Sequence, residues 1–141
     1  MSIRENIASH IVTQIGAISE VKTVTREPTD ISQLAVTSFP HVLVESANET
    51  RETISIGDTP RRESTLDFLI NVVVHGNDRD TSRNSIMEKI EEKLALDRTL
   101  GSNASDSFVS EIIIREIAET KPFGQGAIVY TAKYYYASGN V

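Results

Sequence analysis

Isoleucine recurs at positions 3, 7, 11 and 15, with Ala8 and Val12 widening the stripe. A repeat of four puts these side chains on one helical face. Ser2 and Glu5 stand at capping-box spacing. A helix is therefore expected over 1–17, with Ser2 as N-cap, Glu5 reaching back, and Gly16 as its stop. A second helical stripe is built from Ile86, Ile90 and Leu94, with Met87 beside it. It predicts a helix over 80–96, capped by Asp80, Thr81 or Ser82. Charged residues fill the rest of that helix, including the like-charge pairs Glu88/Glu92 and Lys89/Lys93. Such pairs add nothing to an isolated helix, so this one must be stabilised by packing.

Between the helices the period changes. Leu66, Phe68, Ile70, Val72 and Val74 alternate with Thr65, Asp67, Leu69, Asn71, Val73 and His75. A period of two over that length predicts a central strand with one face under the helices. Residues 21–25 and 41–45 read as shorter strands, the second opened by Phe39-Pro40. Residues 46–51 are polar and read as a loop, with a short edge strand at 52–56. Turns are expected at 27–30 and 57–60, and a single helical turn at 31–34. After the second helix come strands at 108–119 and 127–136, joined by a loop at 121–126, and a frayed tail at 137–141. The order helix, strands, helix, two strands predicts a single α+β domain over 1–141. Its expected form is two layers, a mostly antiparallel sheet of four to six strands with both helices on one face.

A length of 141 residues and 39% hydrophobic content support one core. No apolar run approaches the roughly 20 residues that span a bilayer, so no membrane partner is expected. The opening MSIRENIASH lacks a basic segment followed by an apolar one, and no secretory leader is expected. There are no cysteines, which removes disulfides and thiolate sites and fits life in a cytosol. The net charge of −6 argues against a general nucleic-acid binder, although not against a protein that lets nucleic acid slide past.

The search for chemistry yields little. His10, His41 and His75 have no partner at metal-ligand spacing. Gly124-Gln125-Gly126 precedes a strand, so it lacks the helix N-terminus that a phosphate needs. No nucleophile motif or paired-carboxylate site stands out. We therefore assign no catalytic residue, no cofactor and no metal, and expect a non-enzyme. Two features remain. Arg61-Arg62 is an adjacent basic pair beside the long strand, readable as a charged strand end or as a contact for an acidic partner. All four tyrosines lie in the last strand, with Tyr130, Tyr134 and Tyr136 on one face and Tyr135 on the other. They fit cross-strand packing and a subunit interface equally well. With Arg51 and the basic pair, Tyr130, Tyr134 and Tyr136 form the candidate interface set.

The exit of the second helix carries the one motif. Leu94-Ala95-Leu96-Asp97-Arg98-Thr99-Leu100-Gly101 resembles the A-L-x-x-D-x-T-L-G-G segment of tail terminator (tail completion) proteins of long-tailed bacteriophages. Element order and the Phe39-Pro40 strand opening agree with that family over roughly residues 2–136, while Ser102 replaces its second glycine. Physically, Asp97 can bond amides of the following turn, Leu100 can close the core edge, and Gly101 can supply a conformation closed to most residues. Asp97, Thr99, Leu100 and Gly101 are thus read as structural. The resemblance implies a ring, typically a hexamer of this chain, capping the tail tube at the head-proximal end of the virion. It implies the tail tube protein and a neck or head-completion protein as partners, and a sheath protein where the tail is contractile. Genomic DNA would only pass through the lumen, and assembly would occur in the host cytoplasm. The alternatives are a head-completion or neck protein of the same virion, and a small enzyme.

Overall fold

The computed structural model describes residues 2–27, 39–54, 61–76, 79–116 and 123–137. The elements are α1 (Ile3–Gly16), β1 (Thr23–Thr25), β2 (His41–Thr53), β3 (Arg61–His75), α2 (Arg79–Ala95), β4 (Asp106–Glu116) and β5 (Phe123–Ala137). The strands form one sheet in the order β1-β2-β3-β5-β4. Among the described residues only the β1–β2 pair is parallel. The fold is α+β, as expected from the pattern. The helical turn expected at 31–34, positions 28–30 of the first turn, all of the turn at 57–60, and positions 138–141 of the tail lie outside the described residues, while Ala137, expected in the frayed tail, ends β5.

Ser2 caps α1 by accepting the Glu5 amide at 3.1 Å. The Glu5 carboxylate pairs with Arg26 instead of reaching back. Gly16 is the last helical residue, and the capping amide is that of Ala17, which donates to the Thr13 and Gln14 carbonyls. Helix α2 begins at Arg79, so Asp80 lies in its first turn and pairs with Arg83. Ile7, Ile11 and Ile15 of α1 and Ile86, Ile90 and Leu94 of α2 are buried against Val42, Val44, Leu66, Phe68, Ile70, Val72 and Ile128. Both helices lie on the even-numbered face of β3.

Two stretches expected as loops are strand. β2 continues without a break from His41 to Thr53, past a bulge between Ser46 and Asn48. Its far half is polar on both faces and exposed, so no alternation of burial marked it; pairing to β3 holds it extended. β5 begins at Phe123 and includes both glycines of the Gly-x-Gly. A Cβ at Gly126 would stand 2.7 Å from Met87 Sδ and 3.1 Å from Arg83 Cδ. That glycine serves the close approach of α2 to the sheet.

Candidate functional site

The exit of α2 is a knot of polar contacts around Asp97. Its carboxylate accepts the Gly101 amide at 2.9 Å and the Thr99 hydroxyl at 3.1 Å, and lies 3.1 Å from His10 Nε2. Partial burial pushes the Asp97 carboxyl up, but the bonds from Gly101, Thr99 and His10 outweigh it and hold the pKa below the usual range. Leu100 is fully buried in the core. The turn that puts it there takes Leu100, Gly101 and Ser102 through φ of 50°, 69° and 68°. Ser102 therefore occupies a left-handed position that glycine would fit without strain. Arg98 and Asp106 pair in two bonds of 2.9 Å, and the Ser107 hydroxyl donates to the Arg98 carbonyl at 2.7 Å. Ser107 Oγ is also 2.6 Å from the buried Tyr130 hydroxyl, tying the turn to the centre of the sheet.

Gly101→Ala tests this turn. The new Cβ would meet the His10 ring at 3.0 Å in a left-handed backbone. A loss of about 1–2 kcal/mol is expected by chemical denaturation, with the oligomeric state unchanged.

Five of the six interface candidates, Arg51, Arg61, Arg62, Tyr134 and Tyr136, gather where the ends of β2, β3 and β5 run side by side, while Tyr130 lies apart from them beside Ser107. On the helix side the centre is Glu49. It accepts from Arg4 at 3.0 and 3.2 Å, from Arg51 at 2.7 Å, and from the Tyr134 hydroxyl at 2.9 Å. Arg51 also lies over the Tyr136 ring, 4.9 Å from its centroid, and the Tyr134 and Tyr136 rings pack 5.9 Å apart. Burial alone would push the Glu49 carboxyl up; the bonds from Arg4, Tyr134 and Arg51 win and hold it below the ordinary carboxylate value. On the outer face Arg61 stacks over Tyr135 at 4.4 Å. Glu63 accepts from the Tyr135 hydroxyl, which raises the phenol's pKa, and Lys133 approaches Glu63 at 4.0 Å.

Tyr130, Tyr134 and Tyr136 are buried within the chain, and Tyr135 is the tyrosine of β5 exposed to solvent. Tyr134 and Tyr136 lie against Glu49 and Arg51, whereas Tyr130 bonds Ser107. Arg62 points to the helix side, opposite Thr53 and Tyr136, and is half-buried. Glu49 was not legible in advance: it is one acidic residue in a polar run, and its partners Arg4 and Tyr134 lie 45 and 85 positions away. Of the histidines, His10 bonds Asp97, His41 is buried beside Thr25, and His75 stacks on Phe39. Among the described residues no group of acidic and histidine side chains is placed to hold a metal, and no helix is long and apolar enough to cross a membrane.

No family model matches the chain, and no curated protein matches it. Among solved structures, it is similar to a chain in the virion of a native gene transfer agent (GTA) particle, at 9% identity and a TM-score of 0.43, with 96% of this chain and 92% of that chain covered.

Proposed function

We propose that this chain is a tail terminator, the subunit of a ring that caps a phage tail tube, stops its growth and presents a surface to the neck. The observation that carries the reading is the end of the sheet built on Glu49. Arg51, Arg61 and Tyr135 are held there by neighbours within the chain, on strands rather than on a loop. Side chains fixed in this way lose little freedom when a partner docks, which favours an assembly surface. The specific post, at the end of a tail, comes from the resemblance carried by residues 94–101. A net charge of −6 also suits a subunit past which DNA must slide without being gripped.

The test is electron microscopy of particles made without this chain. Over-long tails or free polytubes are the expected result. Tails of normal length that fail to join heads would assign the chain to the neck instead. Charge reversal at the exposed arginine, Arg61→Glu, should reproduce the over-long tails at least in part while leaving the purified chain folded. Normal tails from that variant would remove Arg61 from the assembly surface.

A further inference from the structure

The sheet has two open edges, and they differ. β4 is outermost on one side and pairs only with β5 among the described residues. Phe108, Ile112 and Ile114 on this strand are 41%, 41% and 59% exposed. The strand contains neither lysine nor proline, although it carries Asp106, Glu111, Arg115, Glu116 and a bulge between Val109 and Glu111. On the opposite side, β1 covers only 41–43 of β2. From Val44 to Thr53 that side of β2 has no strand beside it among the described residues. Next to the start of this stretch lies a groove of about 430 Å³ lined by Glu5, Arg26, Glu27, Val44, Glu45 and Ser46. It continues the line that β1 abandons after Thr25.

Strand direction allows the two edges to pair, although the same register sets Glu111 level with Glu45. β2, β3, β5 and β4 alternate in direction, so β4 runs opposite to β2. Rotating one copy of the chain about an axis along the strands brings its β4 antiparallel to the next copy's β2. The rows also meet. Phe108 faces Thr131, Thr131 faces Asp67, and Asp67 faces Asn48, so Phe108 and Asn48 lie in one row across the sheet. We propose that the β4 edge pairs with residues 44–53 of β2 in a second copy of this chain. The inference rests on the ring reading above and names the contact that closes the ring. Because the two edges are different surfaces, the pairing is head-to-tail and passes from copy to copy until it closes. Closure pairs the β4 edge with the part of the β2 edge that has no strand beside it among the described residues, and brings Phe108, Ile112 and Ile114 beside the side chains of the neighbouring β2.

The chain has no cysteine, which allows a clean cross-linking test. Both positions of Phe108→Cys with Asn48→Cys are exposed, so the double variant should fold. Under mild oxidation it is expected to give a covalent ladder beyond dimers, while each single variant does not. A ladder with Thr50→Cys in place of Asn48→Cys keeps the pairing and moves its register. A double variant that matches the native oligomer by light scattering yet forms no ladder with either position overturns the edge pairing and leaves the ring reading intact. Covalent dimers from Phe108→Cys alone would show a symmetric β4 contact and overturn it as well. A chain that stays monomeric at every concentration, alone and with tail tubes, overturns both. As a second arm, Ile112→Lys with Ile114→Lys should weaken association tenfold or more with an unchanged melting temperature; unchanged association would count against the proposal.

Discussion

Ile90→Ala is expected to destabilise the chain by about 2–5 kcal/mol. Ile90 is fully buried on the face of α2 that meets β3 and β5. Its removal forfeits the transfer free energy of the lost methyl groups and leaves a cavity that the sheet cannot collapse to fill, because β3 is fixed on both sides by long antiparallel ladders. α2 has no compensating surface: its exposed face carries the like-charge pairs Glu88/Glu92 and Lys89/Lys93. A urea titration should show the loss as a lower midpoint at unchanged slope. A loss under about 0.5 kcal/mol would mean that the packing of α2 is not what anchors it.

Glu49→Ala is expected to cost about 2–3 kcal/mol and to alter the pH dependence of stability. The substitution strips a largely buried carboxylate from the Tyr134 hydroxyl, a group that is costly to leave unpaired. It also releases Arg4 and Arg51, whose share is discounted because both are a third or more exposed. The folded-state pKa of Glu49 lies below its unfolded value of about 4.3. Its contribution is therefore complete above that unfolded value and lost as the pH falls through the folded one. The gap in stability between native chain and variant should be widest near neutral pH and close in acid. A gap that stays constant down to the acid limit would show that Glu49 acts through packing rather than charge. The same variant should loosen Arg51 and Tyr136, so weaker assembly at neutral pH is expected to accompany the loss.

What could be read in advance follows from how local each cause is. The period of four in α1, the stripe of α2 and the alternation over 66–74 each record one buried face within one segment, and each was recovered. The far half of β2 was not, because Ser46 to Thr53 is polar on both sides and is strand only through its ladder to β3. The start of β5 was missed because Gly124 and Gly126 look like a loop until Met87 is seen against Gly126. The turn at 97–101 was legible because Asp97, Thr99 and Gly101 satisfy one another within five residues. The His10 contact to the same carboxylate, spanning 87 positions, was not. At the candidate site the arginines and tyrosines stood out by type, whereas Glu49, which holds Arg51 and Tyr134, gave no sign in its own neighbourhood.

The activity proposed for this chain is the arrest of tube growth by a ring of its copies. The direct measurement is to add the purified full chain to a polymerising tail tube protein and to score tube lengths by electron microscopy. Tubes that stop soon after addition, each with a ring of this chain on one end, are the expected result. Tubes that keep growing at the same rate with their ends bare would contradict it.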